Sequence, residues 1–302
     1  MSWTELAVTS QYPEFAEEAM LAQGAVSVTM TDGADEPLLE PPPGATPLWQ
    51  QTVTRGLFHP ETDLDAVIAV LRELLPDGAQ LQCEQRKVED KDWINAWLQH
   101  AKPMRFGTDD APGLWICPSG HRVAEAGATV VQLDPGLAFG TGTHPSTALC
   151  LQWLATHALA GRRVLDYGCG SGILAIAALK RGAATADAVD IDPQALIATR
   201  GNAEINGVAR ALRCADVAQF TEQAVDESVD IVLANILARP LIQLAPELAR
   251  RLRPGGSIVL AGVLRTQADE VRAAYAPWFD FEPDGEREDW ARINGVKRGA
   301  MV

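Results

Sequence analysis

The chain has 302 residues, enough for two domains of ordinary size, and 47% of them are hydrophobic against 22% charged. Those proportions allow a real core without disulfide or metal staples. Forty acidic residues against 25 basic ones leave a net charge of −15, the opposite of the basic field that a direct nucleic-acid binder normally shows. An acidic surface favours solubility and encounter with a basic partner. The five cysteines, Cys83, Cys117, Cys150, Cys169 and Cys214, form no Cys-x-x-Cys pair, and the five histidines are widely spaced. This speaks against a disulfide framework and a metal site and fits a reducing, cytoplasmic setting. Residues 1–20 lack the basic start and apolar stretch of a signal peptide, and no apolar run is long enough for a membrane span.

In chain order, residues 3–8 read as a strand and residues 13–23 as a helix opened by Pro13 and Glu14 and closed by Gly24. Residues 25–30 are β-rich, residues 37–47 form a loop around Pro41, Pro42 and Pro43, and residues 48–58 are again strand-like. Leu64, Val67, Ile68, Leu71 and Leu75 share one helical face, and residues 79–88 close the set as a strand. The order β-α-β-β-α-β is the ferredoxin-like α+β pattern, expected here over residues 1–88 with no cluster that looks catalytic. A linker helix is expected over residues 89–103. Its Trp93 and Trp97 lie on one face, suited to packing or to stacking on a cofactor. Residues 104–127 hold several Gly and Pro and read as irregular or short strands.

Past residue 130, helices (148–154, 173–180, 193–206, 241–252, 266–276) alternate with strands (163–166, 186–192, 211–215, 229–234, 257–261). Alternation of this kind predicts an α/β domain over residues 104–302, a mostly parallel doubly wound sheet of Rossmann-like type. Ligands of such sheets sit beyond the carboxyl ends of the strands.

The strongest motif is the run Val164 to Leu174, where a strand ends, Gly168, Gly170 and Gly172 follow at alternate positions, and a helix begins. Glycines let a backbone turn sharply and approach a ligand. The third glycine comes one residue earlier than the Gly-x-Gly-x-x-Gly of dinucleotide folds requires. Asp190 ends the next strand, 22 residues after Gly168. A carboxylate there can accept both ribose hydroxyls of a nucleoside, or it is an ordinary turn carboxylate, the reading given to Asp192 before Pro193. Asn235 ends an apolar strand and faces the same crevice, while Pro254-Gly255-Gly256 reads as a structural turn before the next strand. Residues 133–147 form a Gly/Thr-rich loop running into a helix. Ser146 or Thr147 can cap that helix, and His144 is either a general base or a structural histidine.

In order and spacing these features resemble class I S-adenosylmethionine-dependent methyltransferases. The loop before Thr147, the Asn235-Ile-Leu-Ala238 run, the Trp93/Trp97 helix, Trp115-Ile-Cys-Pro118 and the small first domain are together similar to the bacterial ribosomal protein L11 methyltransferase (PrmA) family. The resemblance spans nearly the whole chain. It implies S-adenosylmethionine as cofactor, with Thr147, Gly168, Asp190 and Asn235 as its contacts. It implies methylation of lysine side chains and the N-terminal amine of ribosomal protein L11, and a first domain that recognises that protein. Relatives acting on glutamine or adenine carry Asn-Pro-Pro-Tyr where this chain has Asn235-Ile-Leu-Ala238. The missing Pro-Pro-Tyr and the lack of a basic arm argue against planar amide or base nitrogens and against RNA. No catalytic acid or base is assigned, because desolvation of the amine can supply its neutral form. Repositioning between several amines implies a hinge near residues 89–103. The rival readings are a same-fold methyltransferase for a small molecule and a non-catalytic nucleotide-binding module.

Overall fold

The computed structural model describes residues 2–34, 47–74, 81–89, 102–118, 120–133, 142–223 and 225–299. The expected Pro41–Pro43 loop, the linker helix with Trp93 and Trp97, and residues 134–141 of the Gly/Thr-rich loop lie outside them. The chain divides into two compact units, Met1–Asp92 and Trp93–Val302.

In the first unit, strands β1 (Ser2–Thr9), β2 (Ser27–Asp32), β3 (Thr52–Phe58) and β4 (Gln82–Glu89) form an antiparallel sheet in the order β2-β3-β1-β4. Helices α1 (Pro13–Ala22) and α2 (Leu64–Leu74) cover one face. The apolar spacing read in the sequence is the buried face of α2, since Leu64, Val67, Ile68 and Leu71 pack with Leu6, Val8, Met20 and Phe58. Pro13 starts α1 where a missing N–H costs nothing, and Gly24 leaves it at φ +89°. This connectivity and strand order are ferredoxin-like.

The second unit begins with a small sheet of β5 (Met104–Phe106), β6 (Leu114–Cys117) and β7 (Thr129–Gln132). One carboxylate ties it together: Glu125 accepts hydrogen bonds from Arg105, the Trp115 indole and the Gly113 N–H. These donors, the Arg105 guanidinium foremost, hold its carboxyl down at about 2.

The main sheet follows the order β10-β9-β8-β11-β12-β15-β13, with β14 (Gly285–Arg287) paired to β15 (Trp290–Lys297). Strands β8 (Arg163–Tyr167), β9 (Thr185–Asp190), β10 (Leu212–Asp216), β11 (Val229–Asn235) and β12 (Leu252–Leu264) are parallel. β15 runs antiparallel between β12 and β13 (Phe279–Phe281). Alternate residues enter two separate cores: Ile231, Leu233, Val259 and Ala261 on one face, Val232, Ala234, Ile258 and Leu260 on the other. Helices α3 (Pro145–Thr156), α4 (Ile173–Lys180) and α5 (Pro193–Ile205) bury the first face. Helices α6 (Val217–Gln223), α7 (Ala238–Arg251) and α8 (Ala268–Tyr275) bury the second. Both faces covered, with apolar strand interiors, is the pattern of a doubly wound parallel sheet.

Two local expectations are corrected. Pro254-Gly255-Gly256 is not a turn outside the sheet, because β12 begins at Leu252 and carries the glycines as a bulge between its pairings Val229↔Leu252 and Ile231↔Ser257. Helix α3 starts at Pro145 and is capped by His144, whose ring accepts the Ser146 N–H, so neither Ser146 nor Thr147 is the cap. Strands β13, β14 and β15 and helix α6 had no counterpart in the sequence reading.

Candidate active site

The chain leaves β8 for β9 on one side and returns from β10 to β11 on the other, so the sheet order reverses between β8 and β11. Loops from neighbouring strand ends diverge at such a point and leave a crevice. A cavity of about 560 Å³ lies there, and Thr147, Gly168, Asp190 and Asn235 all line it.

Gly168 follows β8 at φ +78°, a conformation that L side chains rarely adopt. A Cβ there would stand 2.2 Å from Ile236 Cγ2, and a Cβ on Gly262 of β12 would stand 2.5 Å from the Ile236 carbonyl oxygen. Two glycines, one just past β8 and one in β12, thus make room for Ile236 beyond the end of β11. The Gly168 and Cys169 N–H groups donate to the Val189 carbonyl at 2.8 and 3.1 Å, bringing the glycine loop against the end of β9.

Asp190 is held by the same loop. Its Oδ2 accepts the Gly170 N–H at 2.9 Å and its Oδ1 accepts the Asp192 N–H at 3.0 Å. Each oxygen keeps further lone-pair capacity for a diol. Asp192 caps α5 through the Gln194 N–H at 2.9 Å, the turn role expected of it. Across the cavity, the Asn235 amide donates to Thr147 Oγ1 at 3.1 Å. That bond orients the amide and leaves its oxygen as an acceptor.

His144 also lines the cavity, with its ring edge-on to Trp290 of β15 at 4.5 Å between centroids. Its Nδ1 lies 2.7 Å from Ser146 Oγ and accepts the Ser146 N–H. A nitrogen that accepts a backbone N–H carries no proton, so the neutral ring has its proton on Nε2. Burial holds the imidazole below its ordinary range, against an opposing pull from the Glu288 carboxylate. The Nδ1 lone pair is engaged by the Ser146 N–H, which leaves Nε2–H as a hydrogen-bond donor.

Several lining residues were missed in the sequence. Ile191 and Leu237, 83% and 51% exposed, put apolar surface at the cavity's edge. Gly262 carried a legible signal, a glycine inside an apolar strand. Asp166, buried behind the loop, accepts the Ala175 N–H in the first turn of α4 with Oδ2, while Oδ1 has no hydrogen-bond partner among the described residues. Burial lifts its carboxyl to about 7, with the Ala175 bond opposing and the Asp190 charge adding to the rise. Among the described residues no group of three or more His, Cys, Asp or Glu gathers to hold a metal.

A parallel sheet reversed between β8 and β11, an antiparallel strand inserted near its edge, and a glycine loop, acid and asparagine at the reversal define a class I S-adenosylmethionine-dependent methyltransferase. The model of the ribosomal protein L11 methyltransferase (PrmA) family matches residues 2–298. The ribosomal protein L11 methyltransferase of Azotobacter vinelandii is 49% identical over 304 residues, covering 99% of this chain and all of that one. That of Edwardsiella ictaluri is 49% identical over 300 residues, with 99% and 100% covered. The crystal structure of a ribosomal protein L11 methylase from Lactobacillus delbrueckii subsp. bulgaricus superimposes with a TM-score of 0.56 at 30% identity, covering 62% of this chain and 95% of that one. The chain belongs to the ribosomal protein L11 methyltransferase family.

Proposed function

We propose that this chain transfers methyl groups from S-adenosylmethionine to amine nitrogens of ribosomal protein L11, its lysine side chains and N-terminal α-amine, in the cytoplasm. The observation that carries the reading is the convergence of Gly168, Asp190 and the Asn235–Thr147 pair on one cavity at the sheet reversal, in a chain of this family. The residues fit the cofactor: Gly168 brings backbone without a side chain to the cavity wall, and Asp190 presents a carboxylate suited to a ribose diol. Thr147, Gly168, Asp190 and Asn235 would be its contacts. No helix among the described residues is long and apolar enough to cross a membrane.

When bound, S-adenosylmethionine supplies an electrophilic methyl group on a cationic sulfonium. The protein's task is to present a neutral amine in line with it. A lysine has an ordinary pKa of ~10.4 and an α-amine ~7.7–8.0, so the lysine must lose a proton on entry. Apolar surface from Leu237 and Trp290 takes water from an ammonium in the cavity and favours its neutral form. The Asn235 amide oxygen can accept an amine N–H and aim the lone pair. His144, neutral and donating, need not take the proton.

The test is methyl transfer from S-adenosylmethionine to purified ribosomal protein L11, followed by mass spectrometry of the product. Methyl groups on lysine and the N-terminal amine are expected. A chain that binds the cofactor yet leaves L11 unmodified while a small molecule accepts the methyl overturns the proposal.

A further inference from the structure

Residues 1–92 hold 17 acidic and 5 basic residues, a net charge of −12, and residues 93–302 hold 23 and 20, a net charge of −3. The first unit thus carries most of the chain's negative charge on less than a third of its length. In the second unit many carboxylates are paired with arginines, as Asp230 is with Arg253 and Asp187 with Arg213. In the first, the ion pairs among the described residues are those of Glu5 with Arg55 and Arg86. That triad lies on the face of the sheet away from the helices and sums to a charge of +1.

The helical side differs. Ala16, Ala19 and Met20 turn α1 toward the core, so Glu14, Phe15, Glu18 and Leu21 point outward at helical spacing. Phe15 is 43% and Leu21 50% exposed, and Tyr12, just before the helix, is 41% exposed. Glu14 and Glu18 are exposed and have no ion pair among the described residues. Apolar anchors set among unpaired carboxylates match a segment that alternates apolar and basic side chains. A protein that lies against RNA phosphates neutralises them with lysine and arginine, so a ribosomal protein offers basic side chains to such a surface.

We infer that the outward face of α1 is the surface on which the first unit takes a basic segment of ribosomal protein L11. The inference rests on the reading of L11 as substrate. Phe15 and Leu21 supply the buried contacts, and Glu14 and Glu18 supply the field that draws the partner in.

The experiment is steady-state methylation of intact L11 by the full chain across a salt series, with cofactor affinity measured by calorimetry on each variant. The double variant Glu14→Gln/Glu18→Gln raises KM for L11 roughly three- to tenfold at low salt, and the gap to the wild type closes as salt rises. Phe15→Ala raises KM at every salt concentration. Cofactor affinity stays at the wild-type value in both. Glu84→Gln, on the opposite face of the sheet, serves as control. The inference is overturned if the double variant and Phe15→Ala keep the wild-type KM while the wild type methylates L11. It is equally overturned if Glu84→Gln alone raises KM, which places the docking surface on the open sheet. A wild-type chain that leaves L11 unmethylated removes the substrate reading and this inference with it.

Discussion

The first unit builds one core between a sheet face and two helices, and leaves Tyr12, Phe15, Leu21, Val26, Leu48 and Leu74 exposed. The second builds two cores on opposite faces of one sheet, and two of its exposed apolar side chains, Ile191 and Leu237, stand at the cavity's edge. Net charge divides the same way, −12 against −3. A small ligand in a crevice is held by shape, backbone N–H groups and one or two oriented carboxylates, which need little net charge. A macromolecular partner is drawn in by a field that acts over the ~8–10 Å of a Debye length and is then held by apolar anchors. On this view the two units are adapted to ligands of different size.

The largest effect that can break this comparison comes from removing the first unit. A fragment of residues 93–302 keeps both cores of the methyltransferase sheet and every lining residue of the cavity. It should bind S-adenosylmethionine as the full chain does. Its methylation of ribosomal protein L11 should fall at least about a hundredfold, the scale of losing one or two interface anchors. Parallel binding and transfer assays decide it, and a fragment that methylates L11 at the full rate would show that recognition resides in the second unit.

The next two changes are confined to the cavity. Asp190→Ala removes a carboxylate whose orientation is already set by Gly170 and Asp192. Losing charged hydrogen bonds of about 1.5–3 kcal/mol weakens cofactor binding roughly tenfold to a hundredfold in a folded protein. Calorimetry showing unchanged affinity would remove Asp190 from the site. His144→Ala should cost less than about tenfold in turnover, because the Nδ1 lone pair is already engaged by the Ser146 N–H and desolvation of the amine can supply its neutral form. A fall of about 10³-fold with cofactor affinity intact, and loss of the acidic limb of the pH–rate profile, would restore the general-base role.

Much of this site was legible because its signals are local. A strand, alternate glycines and a helix lie within Val164–Lys180, and Asp190 and Asn235 each end an apolar strand. The first unit was legible for the same reason, as its helices show clean apolar spacing between short strands. Other features depend on pairings distant in sequence. Trp290 meets His144 only because β15 inserts antiparallel beside β12, and residues 277–297, with Pro277, Pro283 and many acids, show no strand period. The cap of α3 was misread because histidine is an uncommon cap, and Ser146 and Thr147 are favoured ones. The space that Gly168 and Gly262 leave for Ile236 follows from the sheet order β8-β11-β12, which no local pattern encodes.

The smallest predicted effect sharpens the comparison from inside the second unit, which tolerates one buried acid without a cation. Asp166 is buried behind the glycine loop, bonded to the Ala175 N–H, and its carboxyl is raised to about 7 from an unfolded value near 3.8. Between those two values the unfolded chain gives up its proton while the folded chain keeps it. Stability from this group is thus fully present below about pH 4 and is lost as pH rises toward 7. Asp166→Asn keeps an acceptor for Ala175 and has no proton to lose. Without cofactor, its melting temperature relative to the wild type should therefore rise from pH 5 to about pH 7 and level off above it. The measurement is thermal unfolding of both proteins at several pH values across that window. A constant offset would mean that Asp166 ionises in the folded protein much as it does in the unfolded one, with water or a nearby cation reaching the oxygen that has no partner here.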